Sequence, residues 1–177
     1  MRKRKAGDVF KNDDIDFDHY KQVGTGAFGT VYEGITPGTV VKTFKDTDPK
    51  FMPFLNREAE QEAYMQQRAA DVGLAPPVTG MGGSSFSPGP IIEMKDMRDM
   101  YETVRDKYGG RAPRSVRVAT AQQLGQLALM GIRLEDRNPG NVMVNRFTKR
   151  PMQIDFGLTK ESAYRGDAIQ VRALRDA

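Results

Sequence analysis

The stretch Gly24-Thr-Gly-Ala-Phe-Gly-Thr-Val31 decides how this chain folds, and it fits the pattern G-x-G-x-x-G-x-V. Glycines at these spacings let the backbone approach phosphate groups and present N–H donors to them, because no Cβ stands in the way. A dinucleotide-binding turn of similar pattern would lead directly into a helix. Here the β-branched and aromatic residues Thr30, Val31 and Tyr32 follow, and they favour a strand. The stretch therefore predicts a hairpin that covers a nucleotide.

A lysine stands in the next predicted strand. Lys42 follows two valines, and a lysine among buried strand residues needs an anionic partner or ligand. The segment 49–70 is predicted to be a helix, and it carries two carboxylates among its apolar positions. Glu62 is the first choice as the partner of Lys42, and Glu58, one turn earlier, is the alternative.

Two further motifs carry oxygen ligands. Asp136 is followed five residues later by Asn141 in a Pro-Gly turn, and Asp155 begins an Asp-Phe-Gly segment after a short apolar run. Three such side chains can organise Mg²⁺ and a hydroxyl nucleophile. Each motif alone is also ordinary turn chemistry. All of the motifs together, in this order and spacing, argue against coincidence.

Composition restricts the chemistry that the chain can perform. The 177 residues are 38% hydrophobic and 28% charged, which is typical of a soluble globular protein. There is no cysteine and one histidine, His19, which excludes disulfides, thiolate metal sites and cysteine nucleophiles. A Ser-His-Asp hydrolase would depend on that one histidine. Catalysis would therefore use carboxylates, lysines, hydroxyls or a metal held by oxygen.

The charge distribution bears on partners. The net charge of +4 equals the four positive charges of Arg2 to Lys5, and the other basic and acidic residues are equal in number. Residues 1–19 are interpreted as a solvated N-terminal tail, with nucleic-acid binding by this tail as the alternative that we do not favour. No run approaches the roughly 18 apolar residues of a membrane span. We expect a protein without a membrane span, located in the cytoplasm.

Local patterns predict the remaining elements. From the N-terminus they are an antiparallel meander over 20–44, a glycine- and serine-rich loop over 79–90, a strand over 91–94, helices over 97–108 and 115–130, a hairpin of 141–145 with 151–155, and a helix from about 167.

The four motifs together resemble those of the protein-kinase-like fold, and the resemblance runs from about Val23 to Leu174. It implies an α+β, two-lobed protein-kinase-like fold with a small β-rich N-lobe and a minimal helical C-lobe. The N-lobe would cover 20–94 and the C-lobe 95–177, with ATP between them.

The resemblance implies a role for each motif residue. Lys42, paired with Glu62, would hold the α- and β-phosphates of ATP. Asp155 and Asn141 would bind Mg²⁺, and Asp136 would accept or orient the hydroxyl group of the substrate.

The resemblance also implies contacts with adenine. Backbone groups of Glu93 and Lys95 would meet the adenine ring. The other residues expected to bind the nucleotide belong to the glycine-rich hairpin or line the faces of the ring: Val23, Gly24, Gly26, Phe28, Gly29, Val31, Val40 and Met143.

Several positions depart from typical protein kinases. Leu134 and Glu135 stand where many kinases have histidine and arginine, so the usual receptor for a phosphorylated activation loop is missing. Asn138 replaces a common lysine, which leaves the charge of the transferred phosphate less neutralised. Only 22 residues follow Asp155, so we do not expect the helices that dock peptide substrates. The first helix ends in Gly73-Leu-Ala-Pro76, and Ile154-Asp-Phe-Gly-Leu158 leads into a short C-terminal segment. In these features the chain is more similar to the small atypical kinases: the RIO group, the lipopolysaccharide kinases and the kinase of the KEOPS tRNA-modification complex.

The expected function is therefore that of an ATP- and Mg²⁺-dependent phosphotransferase, a protein Ser/Thr kinase or an autokinase. Its partners would be ATP and a protein substrate or protein assembly. The alternative is an ATP-binding or ATPase-type pseudokinase with a structural role in a larger assembly. A small-molecule kinase also remains open, because Pro139-Gly-Asn141 resembles the corresponding loop of antibiotic and sugar kinases.

Overall fold

A computed structural model describes residues 9–10, 17–26, 29–44, 52–83, 89–157 and 159–161. These residues form an α+β fold that divides into two compact units. Unit 1 contains the described residues up to Gln67 together with Pro77–Asp96. Unit 2 contains Arg68–Pro76 and the described residues from Met97 onward. The boundary between the lobes predicted from the sequence lies between residues 94 and 95, which assigns the segment 68–76 to the N-lobe.

Unit 1 is built on a six-stranded sheet. Its strands are β1 (Val9–Phe10), β2 (Gln22–Thr25), β3 (Gly29–Glu33), β4 (Thr39–Phe44), β5 (Val78–Gly83) and β6 (Pro90–Lys95). They lie in the order β1-β5-β6-β4-β3-β2, and every pair is antiparallel except β1 with β5. The predicted meander is confirmed as β2, β3 and β4, and the predicted strand over 91–94 is confirmed as β6.

The expectation of a loop over 79–90 is wrong for its first part. Residues up to Gly83 form β5, which pairs with β6 and, on its other side, with β1. Glycine disfavours strands when it is judged from sequence alone, but pairing with a central strand overrides that preference. Residues 84–88 lie outside the described residues.

Helix α1 (Met52–Ala70) contributes to the core of unit 1. Its buried Ala59 and Ala63 cluster with Phe44 of β4 and Ile92 of β6. A separate cluster contains Val41, which lies on the opposite face of β4 from Phe44. All six residues of β4 are buried, so its lysine is buried as well. The predicted helix is confirmed from Met52 onward, and its expected start at 49–51 lies outside the described residues.

In its described residues, unit 2 combines short strands with two α-helices and a 3₁₀ turn over Pro139–Asn141. Its elements are β7 (Tyr101–Thr103), α2 (Val104–Tyr108), α3 (Arg114–Leu129), β8 (Ile132–Leu134), β9 (Val142–Asn145), β10 (Pro151–Gln153) and β11 (Thr159–Glu161). One sheet has the order β10-β9-β7, and β11 pairs with β8. The predicted hairpin is confirmed as β9 and β10, and the helix over 115–130 is confirmed as α3. The helix expected from about 167 lies outside the described residues.

The expectation of one helix over 97–108 is wrong. Residues 101–103 pair with β9 instead, and the helix begins only after them. Thr103 is the N-cap of α2, since its side chain accepts a hydrogen bond from the N–H of Asp106, and Gly109 ends the helix with a φ of 61°. The helical spacing of apolar residues therefore coincides with a strand followed by a short helix.

None of the described helices is both long enough and apolar enough to cross a membrane.

Strands β3 and β4 approach closely at Gly29. A Cβ at Gly29 would lie 2.1 Å from the carbonyl oxygen of Thr43, whereas a Cβ at Gly26 would have no atom within 4 Å. We expect Gly29→Ala to lower the free energy of unfolding by about 2 kcal/mol, because the clashing atom belongs to the backbone of a central strand. Urea denaturation measures the change, and Gly26→Ala is the matched control. Equal midpoints for the two variants would contradict the close approach.

Candidate functional site

The site residues predicted from the sequence fall into two groups. The first group lies in unit 1, on β2 to β4, α1 and β6. The second group lies in unit 2, in the segment after β8 and at the ends of β9 and β10.

The centre of the first group is a buried ion pair. Lys42 Nζ lies 2.6 Å from Glu62 Oε1, and the two side chains are 8% and 2% exposed. Glu62, rather than Glu58, is therefore the partner of Lys42. The bond to Glu62 fixes the position of the Lys42 ammonium group within unit 1.

The glycine-rich hairpin lies beside this cation. Gly26 donates its N–H to the carbonyl oxygen of Gly29, which closes the turn between β2 and β3. A Cβ at Gly29 would lie 3.7 Å from Lys42 Cε, and Gly24 and Gly26 border open space. A strand follows the last glycine, as predicted, and no helix begins there. Phe28 lies outside the described residues.

Apolar residues share the sheet face of Lys42. Val31 is the register partner of Lys42, and Val40 precedes Lys42 by two residues on the same strand. Side chains at these positions point to the same side of a sheet. Val23 on β2 is half-buried, as is Val31. Met143, the remaining apolar candidate, is buried on β9 in unit 2.

Glu93 has a role that the sequence analysis missed. Its buried carboxylate accepts hydrogen bonds from the N–H of Thr36 at 3.0 Å, from Thr39 Oγ1 at 2.8 Å and from Thr79 Oγ1 at 3.1 Å. The side chain thus ties β6 to the turn before β4 and to β5. A carboxylate inside the apolar run 91–94 was the available signal, because a buried charge requires donors.

The backbone at Lys95 is already engaged. Its N–H donates to the carbonyl oxygen of Pro77 at 2.9 Å, and Lys95 is the register partner of Thr39 on β4. An adenine contact at this N–H, as expected from the sequence, would have to replace the bond to Pro77.

The second group is organised by a tight polar turn. Asp136 Oδ1 accepts the N–H of Asn138 at 3.0 Å, and Asp136 Oδ2 accepts Asn141 Nδ2 at 2.9 Å. Asn138 Oδ1 accepts the N–H of Gly140 at 2.9 Å. We call residues 136–141 the Asp136 loop. The structure therefore joins Asp136 and Asn141 directly, and the amide oxygen of Asn141 remains available as an acceptor of cations.

A backbone hydrogen bond of the preceding residue ties Asp155 to this loop. The N–H of Ile154 donates to the carbonyl oxygen of Asn141 at 2.9 Å. Asp155 has a φ of 67°, a conformation that is uncommon for residues other than glycine and that clusters at functional sites. Its Oδ1 accepts the N–H of Gly157 at 3.2 Å.

The donor atoms of the second group suit magnesium. No group of three or more His, Cys, Asp or Glu side chains in the described ranges could hold a metal ion by itself. Asp155 offers a carboxylate and Asn141 an amide oxygen. Mg²⁺ prefers one or two such protein ligands and completes its shell with phosphate oxygens and water. The residues therefore fit an Mg²⁺ ion that arrives with a nucleotide.

Arg105 also contacts the Asp136 loop, and the sequence analysis missed it. Arg105 Nη2 donates a hydrogen bond to Asn138 Oδ1. No local pattern connects residues 33 positions apart in the chain. Only the folded chain reveals this contact.

We expect the Lys42–Glu62 pair to tolerate loss of both charges better than loss of one. Glu62→Leu should lower the free energy of unfolding by about 3 kcal/mol, because it leaves a buried ammonium without its carboxylate. The double variant Lys42→Met/Glu62→Leu should recover most of this loss. Chemical denaturation of the three proteins measures the coupling. Additive losses would contradict a coupled buried pair.

Comparison with known proteins adds no family assignment. No protein-family model matches the chain, and no curated protein matches its sequence. The function is therefore inferred from the side chains and contacts described above.

Proposed function

We propose that the protein is an ATP- and Mg²⁺-dependent phosphotransferase that acts on Ser or Thr hydroxyls of a protein substrate or of itself. The Lys42–Glu62 ion pair carries the proposal. Active protein kinases need a lysine of the third sheet strand paired with a glutamate of the following helix. Here Lys42 stands on the third strand of the meander and Glu62 on the helix after it. The proposal includes a two-lobed protein-kinase-like fold with a minimal C-lobe.

A purely structural role explains this pair poorly. Burying two charges costs roughly several kcal/mol, and a protein with well-packed apolar residues of similar volume in their place is often as stable or more stable. Unit 1 already has apolar clusters on β4 and β6. A buried lysine beside a glycine-rich turn is better explained as a phosphate-binding group.

The second group supplies the chemistry in this proposal. The acceptor hydroxyl oxygen forms a bond to the γ-phosphorus, and the bond from that phosphorus to the β,γ-bridging oxygen breaks with its electron pair leaving on ADP. The hydroxyl proton passes to the carboxylate of Asp136. Mg²⁺, held by Asp155 and Asn141 with the phosphate oxygens, would neutralise the developing charge. Asp136 accepts one hydrogen bond on each oxygen, which fixes the orientation of the base.

The proposed activity also bears on where in the cell the protein acts. ATP is an intracellular metabolite, and we therefore propose that the protein acts in the cytoplasm.

A nucleotide-binding module within a larger assembly is the second candidate. Phe54 and Tyr64 on α1 are 60% and 58% exposed. Aromatic side chains at a helix surface are enriched in protein–protein interfaces. Such a module would bind or hydrolyse ATP without transferring phosphate to protein.

Transfer from γ-labelled ATP in the presence of Mg²⁺ tests the proposal. We expect the wild-type protein to label itself or an added protein, and we expect Asp136→Ala and Asp155→Asn each to lower labelling at least about a hundredfold. Asp99→Asn, which removes an exposed carboxylate of unit 2 outside the Asp136 loop, is the matched control.

Binding of Mg·ATP, measured by calorimetry, separates the outcomes. We expect Lys42→Met to weaken it roughly tenfold or more, because the phosphates lose a charged hydrogen bond. Phosphate release without protein labelling would favour the assembly module. Absence of ATP binding by the wild-type protein would contradict both candidates.

A further inference from the structure

We propose that Arg105 supplies the positive charge for the transferred phosphoryl group that the Asp136 loop does not supply at position 138. The inference rests on the proposed phosphotransferase function and deepens it by naming a further catalytic residue. It is carried by the contacts of Asn138, Arg105 and Gly140, all within unit 2.

The side chain of Asn138 is committed to the loop itself. Its Oδ1 accepts the N–H of Gly140 and a hydrogen bond from Arg105 Nη2, while its own N–H donates to Asp136. An asparagine bound in this way carries no charge to offer to a phosphate. The guanidinium group of Arg105 brings a full positive charge to the same position.

The helix of Arg105 is anchored to the same core as the loop. Val104, immediately before Arg105, is buried in one cluster with Val142, which immediately follows the loop. Thr103 caps the helix on its other side, and β7 pairs with β9. Arg105 and the Asp136 loop are therefore held in register by shared packing rather than by the hydrogen bond alone.

Gly140 lets the guanidinium group approach the loop backbone. A Cβ at Gly140 would lie 3.2 Å from both Cζ and Nη2 of Arg105. This spacing is tighter than ordinary carbon contacts, so a larger residue would push the side chain of Arg105 away. The glycine between Pro139 and Asn141 thus permits the close approach.

The chemistry of the guanidinium group suits this role. Arginine has five N–H donors in a rigid fork, and the bond to Asn138 uses one of them. The remaining donors can bind two phosphate oxygens at once. An arginine that contacts a transferring phosphoryl group stabilises the charge on its oxygens and raises the rate by orders of magnitude. Arg105 stays protonated throughout, and the bonds that form and break are those given above.

Two substitutions separate this role from a structural clamp. Arg105→Lys keeps a charge, and Arg105→Gln removes it. Loss of a structural clamp would lower the melting temperature and weaken Mg·ADP binding with and without aluminium fluoride alike, whereas loss of charge stabilisation would weaken the aluminium fluoride complex selectively. Arg117→Gln is the matched control, because Arg117 is an exposed arginine of unit 2 on α3, outside the Asp136 loop.

The first readout is ligand binding, measured by calorimetry with Mg·ADP alone and with Mg·ADP plus aluminium fluoride, which imitates the transferring phosphoryl group. We expect Arg105→Gln to weaken the aluminium fluoride complex roughly a hundredfold while Mg·ADP binding changes by less than about threefold. Arg105→Lys, which keeps the charge but not the fork, should lose less affinity than Arg105→Gln. The second readout is the turnover number, which should fall in parallel with little change in the KM for ATP.

Each outcome has one meaning. The inference is supported if Arg105→Gln loses affinity for Mg·ADP with aluminium fluoride but not for Mg·ADP alone, while Arg117→Gln behaves like the wild type and the melting temperatures are unchanged. Wild-type behaviour of Arg105→Gln in an active protein overturns the inference and leaves the proposed function standing. Equal losses of affinity in Arg105→Gln and Arg105→Lys, or the same loss in Arg117→Gln, also overturn it. Failure of the wild-type protein to bind Mg·ADP overturns the proposed function and the inference together.

Discussion

The burial of one ammonium group beside one carboxylate constrains most of unit 1. Lys42 is buried because β4 is a central strand, and Glu62 must reach it from α1. Two charges removed from water are tolerated only when their geometry is good, so the helix must lie close to the sheet and in one register. The small side chains of Ala59 and Ala63 permit that approach. The position of α1 against β4 is thus constrained by the same requirement.

The elements predicted correctly from the sequence are those whose pattern is local. The meander of β2 to β4, the hairpin of β9 and β10, and helix α3 each carry their periodicity and turn residues within their own segment. Pairing between distant segments could not be predicted in this way. The segment that ends at Gly83 is a strand because it pairs with β6, and the segment that ends at Thr103 is a strand because it pairs with β9. Local composition records neither partner.

The candidate site shows the same division. The sequence predicts that Lys42 pairs with Glu62 or Glu58 and that Asp136 and Asn141 lie in one turn, because their spacing indicates a strand, a helix and a turn that present polar groups. The contacts of Glu93 with three threonines and of Arg105 with Asn138 could not be predicted, because they join residues from 14 to 57 positions apart. In each case a charged group is held by a second polar group. Such preorganisation allows a site to act without rearranging its dipoles.

The left-handed conformation of Asp155 occurs in a short connection between two hydrogen-bonded ladders. Strand β10 ends at Gln153, and β11 starts at Thr159, whose register partner Leu134 stands two residues before Asp136. Both carboxylates therefore emerge from tethered backbone, and the unfavourable φ of Asp155 is imposed by its surroundings. A connection this short has few alternative conformations, so a cation that bound there would cost the chain little entropy.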